Sequence, residues 1–343
     1  MTAWLDVDLG AFAANLARVR ETVAPARHML VVKDDAYGHG LEPIVTRAVA
    51  EGVEWFGTFD VPTALAVRRA GGAGCRILAW TVYDDADIDR ALDASVDLGV
   101  GDAFVLDAVI RRARERGLHA RVHLKIDTGL HRNGIRPEDW SAAIARVQLG
   151  VDAIALVGVW SHIAEASDSE DDAARAVFIA AADEAAASVT PPPLRHLAAS
   201  AASFARPEFR FDLARIGAFA YGIRPDGGPA DELLGIRPVA TLCAETVAVD
   251  DSRVTVGAGA LDGLDSRLAG VLRVGTPGGE RTLLSVDATT ATVGGWPGAR
   301  PGDVVTLLGG RAPLTATDAA ELLGTIGEQV VLRISPRLPR RYR

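Results

Sequence analysis

LVVKDDAYGHG, residues 30–40, sets the reading of the whole chain. Its first half belongs to a run, MLVVK (29–33), that is apolar up to a closing lysine, the pattern of a strand covered on both faces. Its second half, DDAYGHG, mixes acids, a phenol, a histidine and glycines, as a polar turn does. Working outward, strand-like segments recur at WFGTF (55–59), RILAW (76–80), VDLGV (96–100), RVHLKID (121–127), IALVGVWSH (154–162), LRHLAAS (194–200) and FDLARIG (211–217). Stretches with helical periodicity lie between them, such as PTALAVRRAGG and DAFVLDAVIRRARERG. Eight strands alternating with helices predict a (β/α)8 TIM-type barrel, an α/β fold. The segment at 201–208 is short for a helix, and a doubly wound open sheet is the alternative. No GxGxxG follows the first strand to support it.

After residue 230 the texture changes. IRPVATLCAETVAV, RVTVGAGAL, LAGVLRVG, RTLLSVDATTATVGG and PGDVVTLLGG read as strands parted by Gly, Pro and Asp turns. One helix, TDAAELLGTIG, precedes a last strand, QVVLRISP. The expected organisation is a barrel over residues 1–232 and a smaller, mostly β domain over residues 233–343, with residues 1–9 able to join the latter.

Composition narrows the function. The chain has 343 residues, 49% of them hydrophobic, and a net charge of -9, which excludes a disordered chain and disfavours nucleic acid or an anionic membrane as partner. No apolar run reaches the roughly 20 residues that span a bilayer. The start, MTAWLDVDLG, has no basic n-region, so a cytoplasmic protein is expected. Two cysteines, Cys75 and Cys243, sit in apolar runs and read as buried thiols; no metal site is expected.

The chain holds only two lysines, Lys33 and Lys125, against a background of arginine. A lysine amine can lose its proton and attack an aldehyde, whereas a guanidinium cannot. In a barrel the chemistry gathers where strands end. There stand Lys33 and nearby Tyr37; Lys125 with Asp127 and Arg132; His162; Ser200; and Arg215, Gly217 and Ala218.

These blocks carry a family resemblance. LVVKDDAYGHG resembles the cofactor-lysine motif of alanine racemases, and KIDTGLHRNG (125–134) resembles their second barrel signature. WSHIAEAS, HLAASAA and RIGAFAYGIRP are similar to three further blocks, in the same order; the match covers residues 3 to 240 well and the rest more loosely. The resemblance implies pyridoxal 5'-phosphate carried covalently on Lys33, which also serves as an acid/base group. It implies a phosphate held by Tyr37, Ser200 and the amides of Gly217 and Ala218, in line with the usual barrel phosphate site. Arg132 would bond the phenolic oxygen of the cofactor, His162 would lie against its ring, and Arg215 would donate to its pyridine nitrogen. Lys125 would support Arg132, at a position often carbamylated in the family. A homodimer acting on a small amino acid, with one subunit's β domain completing the other's barrel mouth, is also implied.

The second domain departs from the pattern. The family's partner-contributed catalytic tyrosine lies in a block that here reads VTVGAGA, with Val256 at its place. The tyrosines are Tyr37, Tyr83, Tyr221 and Tyr342, and all seven histidines precede residue 200, so residues 222–341 offer neither group. Thr276 in GTPGG and Glu328 in TIGEQ replace two more tyrosines, and Asp262 and Asp265 are the nearest carboxylates to VTVGAGA. Three functions follow as expectations: an alanine racemase-like isomerase with impaired or altered activity; a one-base cofactor enzyme of aldolase, decarboxylase or eliminase type using Lys33; or a non-catalytic cofactor-binding relative.

Overall fold

The computed structural model describes residues 2–165, 167–250 and 252–343. The chain forms two compact units, one from Val19–Lys33 and Ala48–Gly217, the other from Met1–Arg18, Asp34–Arg47 and Ala218–Arg343.

The first unit is the (β/α)8 barrel. Its parallel strands are Arg27–Val31, Trp55–Asp60, Arg76–Thr81, Asp97–Val100, Ala120–Lys125, Ile154–Trp160, Leu194–His196 and Leu213–Ile216. They pair in chain order, with the eighth against the first. The seventh and eighth meet through Asp212 N donating to Arg195 O at 3.0 Å and Arg215 N donating to Ala198 O at 3.1 Å. Several helices start directly after a capping aspartate. Asp60, Asp84 and Asp102 each accept a first-turn amide, from Thr63, Asp87 and Val105, which satisfies a donor the helix cannot. Met29, Trp55, Leu78 and Leu213 fill the interior as one buried cluster. Glycine is required where large rings cross it: a Cβ on Gly158 would stand 2.2 Å from His123 Nδ1.

The second unit is antiparallel. Strands Ala240–Val249, Arg253–Val256, Ala291–Gly294, Gly279–Val286, Arg273–Thr276 and Val304–Gly309 pair in that order, and the last returns to the first, closing a six-stranded ring. Ala3–Val7 joins it by pairing with Ala240–Val249, and Arg340–Tyr342 adds in parallel to Ala3–Val7. No helix among the described residues is long and apolar enough to cross a membrane.

Two local expectations are corrected. QVVLRISP is no strand; Gly327–Arg333 is a helix. Gly327, Val330 and Val331 are its buried residues, and Ile334 is buried just past its end, a helical spacing that a short apolar run conceals. The first barrel strand ends at Val31, so Lys33 is the entry to a turn and not the last strand residue.

Candidate active site

Arg215 anchors the barrel end of the site. It is 5% exposed, and backbone carbonyls cage its guanidinium. Nη1 donates to His196 O at 2.9 Å and to His196 Nδ1 at 3.1 Å. Nη2 donates to Ser161 O at 2.7 Å and Leu197 O at 3.0 Å, with His162 Nδ1 at 3.4 Å. Its planar fork is thereby fixed, and Nε is the one nitrogen left without a bonded acceptor among the described residues. Burial, then the charge of Arg132, pulls its pKa down to about 9, so it stays protonated near neutrality.

His162 is held neutral. Burial pulls its pKa down to about 3, helped by the charges of Arg215, Arg132, Lys125 and Lys33. Those four cations therefore surround one imidazole, and together they favour an anionic ligand. Lys125 is 6% exposed, with Nζ over the Trp160 ring at 4.6 Å from the centroid. Burial first, then Arg215 and Arg132, brings its amine down to about 8. Lys33 is half-buried and Arg132 exposed. The loop bearing Arg132 is built by Asp127, which accepts from the amides of Gly129 and His131 at 3.0 Å each and from His131 Nδ1 at 3.1 Å. Ser200 Oγ accepts from Gly217 N at 3.3 Å, so those two predicted phosphate contacts are neighbours.

Behind Arg215 lies a buried chain of groups that the sequence did not single out. His196 Nε2 is 2.9 Å from His123 Nδ1, and His123 Nε2 is 3.3 Å from Asp97 Oδ2. Asp97 also takes Arg76 Nη2 and Arg121 Nε. The one signal in the sequence was spacing: His123 lies two residues before Lys125 on the same strand, hence on the same face.

In the second unit, Asp34, Asp35, Ala36 and Tyr37 all adopt left-handed backbone, with φ of 54, 54, 55 and 54°. Such residues cost roughly 1–2 kcal/mol each. The turn is held by Gly38 N donating to Asp34 O at 2.8 Å, Gly40 N to Asp35 O at 3.0 Å and Leu41 N to Asp35 Oδ1 at 2.8 Å. Arg340 Nε and the Tyr342 hydroxyl donate to the carbonyls of Gly38 and His39, each at 3.1 Å. The turn buries Tyr37 against Tyr221, ring centroids 4.7 Å apart. Burial, then the Glu328 and Asp34 carboxylates, raises the Tyr37 phenol well above its ordinary value, so it acts only as a neutral hydroxyl. Ala218 opens the short turn Ala218–Tyr221.

The residues at the tyrosine-poor positions have structural duties. Val256 is 0% exposed, on a strand whose Val254 is equally buried. Thr276 Oγ1 donates to Gly279 O at 2.6 Å, closing a hairpin turn. Asp262 Oδ2 accepts from Gly259 N at 2.9 Å as a local cap. Asp265 is clamped by Arg267 and Arg333; its bonds to Arg267 hold it well below the usual carboxylate range, against the effect of burial. Neither aspartate is a free base.

A lysine just past the first barrel strand, a caged arginine within the eighth and a neutral histidine among cations together suit a small anionic ligand. The chain matches the family models "Alanine racemase, N-terminal domain" over residues 7–225 and "Alanine racemase, C-terminal domain" over residues 243–342. It is 38% identical to an alanine racemase of Thermobifida fusca, covering 98% of this chain and 96% of that one. With an alanine racemase of Beutenbergia cavernae it shares 36%, covering 97% and 96%. The solved alanine racemase from Streptomyces coelicolor A3(2) superposes with a TM-score of 0.93 at 32% identity, over 99% of this chain and 98% of that one. The chain belongs to the alanine racemase family. The alignments run over 364 and 367 positions, more than the chain's 343 residues, so these relatives carry segments that this chain lacks.

Proposed function

We propose that this chain is a pyridoxal 5'-phosphate enzyme that moves the Cα proton of a small amino acid, with alanine as its first candidate substrate, and that inversion is its weak step. The observation that carries the reading is Arg215: caged on every Nη hydrogen, it offers only Nε–H to a ligand, beside a neutral His162. A ring nitrogen is an acceptor of that geometry, and the cations around His162 suit a phosphorylated, phenolic cofactor. The residues present thus fit the group. When bound, the cofactor supplies the electron sink that lets a Cα proton leave.

The rest is done by the chain. Lys33 would hold the cofactor through its aldehyde carbon, and its amine, once displaced there by the substrate's amino group, would accept and return a proton at Cα from its own face. Arg215 keeps its proton at working pH, so it would donate to the pyridine nitrogen without protonating it, and the cofactor would supply only a modest electron sink, suited to a single proton transfer. Arg132 would hold the phenolic oxygen, His162 would lie against the ring, and Ser200, Gly217, Ala218 and Tyr37 would hold the phosphate, while Lys125 would support Arg132. Two such chains form a homodimer.

Inversion needs a second base on the opposite face. Residues 222–341 contain no tyrosine or histidine, and Asp262 and Asp265 are engaged. A positioned base is worth roughly 10²- to 10⁴-fold, so exchange of the Cα proton should outrun inversion by about that factor. The same observation favours a second reading, a one-base enzyme of aldolase, decarboxylase or eliminase type. Each alanine enantiomer incubated in heavy water, then separated by chiral chromatography, decides. Label gained by one enantiomer with configuration kept supports the first reading; fast conversion from both directions defeats the slow inversion. Cleavage or loss of carbon dioxide from another amino acid, with alanine inert, supports the second. Borohydride should fix the cofactor on the peptide containing Lys33, and a label on Lys125 would sink that assignment. Light scattering should report a dimer.

A further inference from the structure

We propose that Asp97, His123 and His196 are positioning residues that fix the orientation of Arg215 through a one-directional hydrogen-bond chain across the barrel. The inference rests on the reading of Arg215 as the ring-nitrogen donor. The chain starts at Asp97, the first residue of its strand, crosses His123 and His196, and ends on Arg215 in the eighth strand. The carboxylate, both imidazoles and the guanidinium are all buried.

The direction follows from what each end can do. A guanidinium has no acceptor, so His196 Nδ1 must accept from Arg215 Nη1 at 3.1 Å. His196 then carries its proton on Nε2 and donates to His123 Nδ1 at 2.9 Å. His123 in turn carries its proton on Nε2 and donates to Asp97 Oδ2 at 3.3 Å. The reverse order would set donor against donor at Arg215 and lone pair against carboxylate at Asp97. Both ends therefore select one tautomer for both rings, Nε2–H.

Packing locks the same arrangement. Trp160 stacks on His196, centroids 5.8 Å apart and planes 3° from parallel, and its Nε1 donates to His123 O at 3.1 Å. Gly158 leaves the space that His123 Nδ1 occupies. Arg76 and Arg121, with side chains 37% and 33% exposed, reach Asp97 from the surface and balance its charge. Burial raises Asp97, but His123, Arg121 and Arg76 outweigh it and keep the carboxylate ionised. An apolar core would be no less stable than so many buried polar groups, so their alignment on Arg215 is what distinguishes them. With His196 Nδ1, His196 O, Ser161 O and Leu197 O all engaged, the guanidinium cannot turn in its plane, and Nε keeps one direction.

Nitrogen-15 spectra of histidine-labelled protein test the chain without any mutation. Both rings should show the Nε2–H form, and His196 should not titrate from pH 5.5 to 8.5; an Nδ1–H signal at either ring, or a titrating His196, overturns the proposal. Binding of pyridoxal 5'-phosphate, followed by absorbance, then tests its consequence. His196→Phe keeps the stack on Trp160 but removes the acceptor, and should weaken cofactor affinity about tenfold or more and shift the cofactor band. His196→Asn places an amide oxygen near the lost Nδ1 and should restore much of both. Asp97→Asn should admit the Nδ1–H form and weaken affinity in the same direction. A Phe variant that binds with unchanged affinity and spectrum refutes the positioning role. If the unmodified protein binds no cofactor, the reading of the site fails, and the tautomers still decide the chain.

Discussion

Replacing Val256 by tyrosine restores, on paper, the phenol that the family places there, and the structure predicts that it will fail. Val256 lies opposite Thr246 on one side and Ala291 on the other in the six-stranded ring. Val254, Ala291 and Val293 around it are each 0% exposed. Inserting a ring into such packing costs roughly 1–3 kcal/mol in displaced neighbours. A phenolic hydroxyl buried without a partner adds roughly 1–3 kcal/mol. The sum, about 2–6 kcal/mol, lowers Tm by about 5–20 °C at the usual few degrees per kcal/mol for a unit of this size. Calorimetry of Val256→Tyr should show that loss, and chiral chromatography should show no gain in inversion beyond tenfold. A variant with an unchanged Tm and inversion raised a hundredfold would refute the reasoning, because the side chain would then have to leave the ring interior.

Lys125 should make stability rise with pH. Its amine is at about 8 when folded against 10.5 when free, so between those values the unfolded chain binds more protons, and stability climbs by up to about 3 kcal/mol; Lys125→Met should flatten the urea midpoints across that window. On the acid side, His28, His39 and His162 are buried with values of about 3, 4 and 3. The unfolded chain takes up their protons, and that of the buried His196, first as pH falls below 6.5, so stability is lost there, by roughly 2 kcal/mol per histidine at pH 5; His28→Leu should recover about a quarter of the loss in urea titrations. Gly134→Ala should loosen the Arg132 loop, because a Cβ would stand 2.5 Å from Asp127 N at a φ of +141°. Cofactor affinity should drop several-fold, and an unchanged value would show that the loop is not needed.

The barrel was legible because parallel strands covered on both faces write themselves as apolar runs ending in polar loops, as MLVVK and RVHLKID do. The strand-end residues were legible for the same reason: Lys33, Lys125, Arg132, His162, Ser200 and Arg215 lie together in the barrel unit. The helix Gly327–Arg333 was not, since seven residues with an adjacent valine pair satisfy a strand and a helix alike. Nor was the turn after Lys33. Left-handed backbone at Asp34, Asp35, Ala36 and Tyr37 leaves no mark in residue type, because none is glycine. Asp97 sat unremarked inside VDLGV, because its meaning depends on strands 26 and 99 residues away.

The pairing of Ala3–Val7 with Arg340–Tyr342 has a consequence for the order of assembly. In synthesis Ala3–Val7 must wait for Arg340–Tyr342, far later in the chain, before its outer edge is covered. Its other neighbour, Ala240–Val249, also comes late. Throughout synthesis, AWLDV is therefore an unpaired apolar strand on a growing chain, the kind of segment that sticks to other copies and that chaperones hold. The barrel strands, all complete by Ile216, do not wait on it. Translation should thus pass through a stage with a formed barrel and an open N-terminal strand. Removing Arg340–Arg343 should leave that edge bare for good, turning a transient hazard into a permanent one that shows as aggregation rather than as loss of barrel structure.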